Sequence, residues 1–270
     1  MALPRPSDRT TAVVTGASSG IGAAIARELA RRGHGVTLVA RSVDRLEALA
    51  RELGAGGTTA HVLATDLADR SARAGLLDRI GALGLVPDLL VNNAGVSTLG
   101  AVASSDPVAE LEMVEIDVLA VVDLCSRFLP GMVERRRGAV LNVASTGAFQ
   151  PLPGQAGYGA GKAFVLSYTQ SLGGELRGTG VTATTLCPGP VDTGFGERAG
   201  FTKEDAAAAL PAVMWETPEA VAVAGIDGLA AGRAVVVPGL ANRAAAVIGR
   251  LVPNRALVPL LARAHPGLRT

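Results

Sequence analysis

The strongest constraint on this chain is a rhythm. Runs that are apolar from end to end alternate with segments of helical periodicity up to about residue 240. The stretches 11–16 (TAVVTG), 35–41, 58–66, 88–95, 138–145, 181–189 and 233–239 read as strands. Between them, 21–33, the stretch SVDRLEALARELG, 69–84 and a long segment of about 107–135 read as helices. Pro130-Gly131 is expected to bend or shorten the last of these. A further helix carries GYGAGKAF. A strand without a polar face must be covered on both sides, and a helix after each strand returns the chain to start a parallel neighbour. The expected fold class is therefore α/β: a single doubly wound parallel sheet of Rossmann type with helices on both faces. No linker interrupts 1–240, and 241–270 reads as a C-terminal helical extension of the same domain. The alanines at 206–209 read as helical.

Composition removes several function classes. Twenty-five basic and 24 acidic residues give a formal charge of +1, without long runs of one sign, which argues against a nucleic-acid surface. Cys125 and Cys187 are too few for a disulfide framework, and His34, His61 and His265 lack the spacing of metal ligands. The N-terminal MALPRPSDRT has no apolar signal region, and no apolar run reaches the roughly 18 residues of a spanning helix. The expected location is the cytoplasm.

The first strand runs into TGASSGIG (15–22) and then a helix. Gly16, Gly20 and Gly22 relieve a tight turn, admit a pyrophosphate and let the helix pack closely. The N–H groups at the helix start, beside Ser18, Ser19 and Ile21, point at phosphates. The end of the second strand distinguishes the nucleotides. An NAD site places an acid there for the ribose hydroxyl, whereas this chain has Arg41 and Ser42, a guanidinium and a hydroxyl suited to a 2′-phosphate. NADP(H) is expected ahead of NAD(H).

Tyr158 and Lys162 stand at i and i+4 on one helical face, in a chain with only 3% aromatic residues. A free phenol, with a pKa of about 10, exchanges protons reluctantly near neutrality. A neighbouring ammonium favours the phenolate and is expected to lower that pKa.

The order TGASSGIG, NNAG, Ser145, YxxxK, PG resembles the short-chain dehydrogenase/reductase family from about residue 10 to 240. The resemblance implies that Asp66 and Leu67 lie at the adenine and that NNAG at 92–95, with Asn93, Ala94 and Gly95, lines the cofactor near a ribose. It places Pro188, Gly189, Val191 and Thr193 along the nicotinamide. Ser145, thirteen residues before Tyr158, is implied to hold the substrate oxygen beside the phenol, and Lys162 to bond the ribose. Where the family has an asparagine that holds a water linking the lysine to solvent, this chain has Asp117. A carboxylate still offers acceptors for a proton relay. The segment 194–215 is implied to form a substrate lid. Phe149, Leu152, Pro153, Phe195, Phe201, Met214 and Trp215 then suggest a fairly large hydrophobic carbonyl or alcohol substrate. Long helices in this family commonly build homodimers or homotetramers.

The tail 240–270 has apolar faces punctuated by Arg243, Arg250, Arg255 and Arg263. Packing on the same chain or on a neighbouring subunit is favoured over contact with a membrane surface, since no Trp or Tyr anchor accompanies it. The expected activity is NADP(H)-dependent reduction of a ketone, with Tyr158 as general acid. The alternatives are an altered, non-redox enzyme of the same fold and a nucleotide-binding sensor without turnover.

Overall fold

A computed structural model describes residues 3–202 and 210–268. Seven strands form one sheet: β1 (Thr10–Thr15), β2 (Val36–Ala40), β3 (Ala60–Ala64), β4 (Val86–Asn92), β5 (Gly138–Val143), β6 (Val181–Leu186) and β7 (Val235–Val236). All neighbours are parallel, in the order β3-β2-β1-β4-β5-β6-β7. From β1 the chain builds outward to β3 and then returns to place β4 on the other side of β1. This reversal opens a crevice at the carboxyl ends of β1 and β4, where sheets of this kind bind ligands.

The strands alternate between two cores because successive side chains point to opposite faces. Val13, Val39, Leu90 and Val140 join Leu124, Phe128 and Val165 on one face. Ala12, Val14, Leu38 and Leu89 join Ile25, Leu29 and Ile226 on the other. The covering helices are α1 (Gly20–Arg31), α2 (Val43–Ala55), α3 (Arg70–Ala74), α4 (Leu76–Ala82), α5 (Pro107–Val114), α6 (Ala120–Glu134), α7 (Ala156–Glu175), α8 (Phe195–Ala199), α9 (Pro218–Ala230), α10 (Leu240–Leu251) and α11 (Asn254–Ala264).

Two expected helices are divided. The 69–84 segment is α3 and α4, joined at Gly75, with Asp69 capping α3 by accepting from the N–H groups of Ser71 and Ala72. The 107–135 segment is interrupted at Glu115–Leu119, a π-helical turn, and not at proline. Pro130 lies inside α6, where it forfeits one backbone donor without ending the helix. The turn is held from outside by Arg73, which is buried and pairs with Glu115 at 2.7 Å and Asp123 at 3.1 Å. Arg73 also donates to the carbonyl of Leu67.

The last strand is only two residues long. The expected lid contains α8 and a 3-10 turn at Ala212–Met214, and Val191 bridges to Glu216 behind it. The helical reading of 206–209 lies outside the described residues. Among the described residues both cysteines are free and buried, no acid/His/Cys cluster is arranged for a metal, and no helix is long and apolar enough to cross a membrane.

Candidate active site

A cleft of about 830 Å³ occupies the crevice and continues beneath the lid. Its nucleotide half is built on β1. The Thr15 hydroxyl donates to the Val91 carbonyl at 3.2 Å and accepts from the N–H groups of Asn93 and Ala94 at 3.0 and 3.1 Å. That stitch fixes the Asn93–Gly95 turn against the glycine loop. Gly16 has φ +65, a left-handed conformation that a side chain would strain. A Cβ at Gly22 would stand 2.3 Å from the Gly16 carbonyl oxygen, so this glycine allows close packing and does not itself line the cleft. Ser18, Ser19, Gly20 and Ile21 do line it. The start of α1 has no side-chain cap and no acid in its first turn, which leaves free N–H groups for an anion.

At the end of β2 the cleft is lined by Ala40, Arg41, Ser42 and Arg45, with no carboxylate among them. Arg41 is exposed and rests 3.4 Å from Glu112. Asp66 and Leu67 line the same half, and Asp66 accepts from the Ala68 N–H at 3.0 Å. Pro188, Gly189, Val191 and Thr193 form the opposite wall. Thr193 sits on Gly20, leaving no room for a Cβ there. These residues fit a dinucleotide: a glycine cradle that a Cβ would fill, an uncapped helix start, and two guanidiniums at the far corner.

The reactive half sits where β5, α7 and the π turn meet. Ser145 follows β5, and its hydroxyl accepts from the Gly147 N–H at 3.1 Å while also hydrogen-bonding the hydroxyl of Tyr158. Lys162 is buried one turn along α7, with Nζ 5.5 Å from the Tyr158 ring centroid and 3.4 Å from the Val143 carbonyl it donates to. Asp117 lies behind the lysine, fully enclosed. Its Oδ2 is 2.9 Å from Lys162 Nζ, and its Oδ1 accepts from the Val96 N–H at 2.8 Å. A side chain at Gly95 would crowd both members of this ion pair.

Burial corrects the expectation for the phenol. It pushes the Tyr158 hydroxyl above the ordinary phenol value. Lys162 and the Ser145 hydrogen bond offset this only in part, and the charge of Asp117 acts in the same direction as burial. Burial opposes the Lys162 ammonium, but Asp117 and Tyr158 hold its pKa above the usual lysine value. Burial raises the pKa of Asp117 against the pull of Lys162.

Leu152, Phe195, Met214 and Trp215, expected at the substrate, line the same cleft together with Phe201 and Leu210. The Phe195 ring lies 5.8 Å from that of Tyr158. Phe149 and Pro153 do not line this cleft. Phe149 turns into the core and carries the Arg250 guanidinium 5.2 Å above its ring, while both residues border a separate groove.

Other participants escaped the sequence reading. Arg45 joins Arg41 one turn into α2. Asn92, expected at the cofactor with the rest of NNAG, does not line the cleft: it is buried and donates to Asn142 at 2.8 Å, which donates to Thr169 at 2.9 Å, a ladder tying β4, β5 and α7 together. Its signal in the sequence is an asparagine toward the end of each of two largely apolar strands. From the tail, Ala245 and Ala246 line the cleft, and Asn242 donates to the Met214 carbonyl at 2.9 Å while packing on Gly189.

Sheet, glycine cradle and Ser-Tyr-Lys group define the class of dinucleotide-dependent α/β oxidoreductases. The chain belongs to the short chain dehydrogenase family, whose pattern matches residues 10–203. It is 39% identical over 189 residues to a short chain dehydrogenase of Pseudocercospora fijiensis, a match that covers 69% of this chain and 61% of that protein, under two thirds of its length. It is 37% identical over 203 residues to the granaticin polyketide synthase putative ketoacyl reductase 1 of Streptomyces violaceoruber, covering 73% of each. Among solved structures, a short-chain dehydrogenase from Sphingobium yanoikuyae in complex with NADPH superimposes with a TM-score of 0.79 at 32% identity, over 93% of this chain and 95% of that one.

Proposed function

We propose that this protein is an NADP(H)-dependent oxidoreductase that reduces the carbonyl of a fairly large hydrophobic ketone, with Tyr158 as general acid. The observation that carries the reading is the meeting of Ser145, Tyr158 and Lys162 in one cleft with the glycine cradle and Arg41. NADPH in the Sphingobium relative and the absence of a carboxylate among the cleft residues after β2 support the choice of nucleotide.

The α1 start and the Gly16–Gly20 loop would hold the pyrophosphate, and Arg41, Ser42 and Arg45 the 2′-phosphate. Asp66 and Leu67 would border the adenine, Asn93–Gly95 and Lys162 the ribose, and the Pro188–Thr193 wall the nicotinamide. When bound, the dinucleotide supplies the hydride and, once oxidised, a positively charged ring. Ser145 donates a hydrogen bond to the carbonyl oxygen, which stabilises charge developing there. Tyr158 gives its hydroxyl proton to the same oxygen and is left as a phenolate that Lys162 stabilises. Asp117 fixes the lysine and provides the acceptors of a proton relay. The apolar lid residues exclude water and select a bulky substrate. Exposed Val108, Leu111 and Phe164 on α5 and α7 support a homo-oligomer built on those helices.

The test is a panel of bulky ketones followed at the NADPH absorbance band and repeated with NADH. Consumption of NADPH at least about tenfold more efficient than that of NADH is expected. Tight NADPH binding without turnover on any member would favour the sensor reading instead.

A further inference from the structure

The tail helix α10 is mounted with its large side chains outward. It docks through small or polar residues, Asn242, Ala246 and Gly249, all buried. Leu240, Ala244, Val247, Ile248 and Leu251 recur at helical spacing on the opposite side and are exposed: Leu240 by 81%, Leu251 by 76%, Val247 and Ile248 by 56% each. Leu260 on α11 is 64% exposed. An apolar stripe of this kind, held in water on a folded frame, marks a surface that is covered in use.

Charge identifies what covers it. Residues 240–270 contain five arginines and no aspartate or glutamate, which leaves the rest of the chain net acidic. Arg243, Arg250, Arg255 and Arg263 are exposed, and among the described residues none is paired with a carboxylate. A two-fold contact between copies through this face would set arginines against arginines. An anionic lipid surface satisfies both features: leucine, valine and isoleucine enter the acyl boundary, and the guanidiniums extend to the phosphates.

We infer that α10 and α11 form a docking surface for anionic membranes, with the apolar stripe of α10 lying in the lipid interface. The sequence alone favoured packing on protein. Among the described residues only the small-residue side of α10 is used that way, and the apolar side is left exposed. The inference is independent of the reaction proposed above.

Flotation of the full chain decides it, using vesicles of equimolar phosphatidylcholine and phosphatidylglycerol against vesicles of phosphatidylcholine alone. The chain is expected to float with the anionic vesicles, to stay behind with the neutral ones, and to be released by high salt. Val247→Ser with Leu251→Ser, and separately Arg255→Gln with Arg263→Gln, should each lower the bound fraction by at least about tenfold. Both pairs are exposed, so melting temperatures should match the unaltered chain. No flotation with anionic vesicles, equal flotation with neutral ones, or unaltered binding by both variants would overturn the inference. So would a drop in solution mass caused by Val247→Ser with Leu251→Ser, which would make the face an interface between copies.

Discussion

Burial sets the direction in which Tyr158 titrates, and Asp117 adds to it. Burial holds the phenol protonated above its ordinary range; Lys162 pulls the other way, and the Asp117 carboxylate, 2.9 Å from that ammonium, takes back part of the pull. For reduction the phenol must carry its proton, so kcat/KM should hold through neutral pH and fall only on the alkaline side. Asp117→Asn removes a charge that raises the Tyr158 pKa and leaves the full Lys162 cation facing the phenol. The alkaline limb should therefore move to lower pH, and alcohol oxidation, which needs the phenolate, should begin at lower pH. Profiles of kcat/KM in both directions check this, and coincident profiles would remove the role given to Asp117. That Tyr158 and Lys162 share a face was legible because an i, i+4 pair on one helix keeps its geometry through local structure alone, whereas Ser145 was placed beside them only by the family resemblance. Arg45 and the Asn92–Asn142–Thr169 ladder were not legible, because what brings them to the site is the pairing of distant strands and the docking of α2 and α7.

At the scale of elements, the π turn carries Asp117, whose carboxylate meets the lysine. Its sequence, EIDVL, continues the apolar pattern of the flanking helices, so periodicity reads straight through it and the only visible irregularity is Pro130. The cause of the turn lies outside it. Arg73 on α3 reaches Glu115 and Asp123 on either side, and Lys162 draws Asp117 inward. Arg73→Met would leave Glu115 with exposed Arg70 and Asp123 with exposed Arg127 as remaining partners. The expected cost is about 2 kcal/mol, less than for a pair stripped of every partner. That corresponds to about 4 to 8 °C in Tm, with a loss of turnover as the turn relaxes. Thermal melting beside a rate measurement checks it, and an unchanged Tm would show the turn to be self-supporting.

Across the whole molecule, the cleft is assembled from regions far apart in the chain. The strand-helix alternation foretold the parallel sheet, while the strand order, and with it the reversal beside β1 where the cleft opens, came from the structure. The closure of its substrate half was not legible. Asn242 joins the tail to Met214 and Gly189, and the His265 ring meets Phe201 edge-on at 5.8 Å while its Nε2 lies 3.3 Å from Gln155. Small and polar residues making long-range contacts leave no periodic trace, whereas Phe149, conspicuous in the sequence, went to the core. What unites these parts is one chemical claim: the protein organises a cleft in which the Tyr158 hydroxyl protonates a carbonyl oxygen. The most direct test is Tyr158→Phe, measured for NADPH-dependent reduction of a ketone that the unaltered enzyme accepts, with NADPH binding followed by its fluorescence. Binding should persist while kcat/KM falls by about 10²- to 10⁴-fold. Reduction at an undiminished rate, with binding intact, would contradict the account.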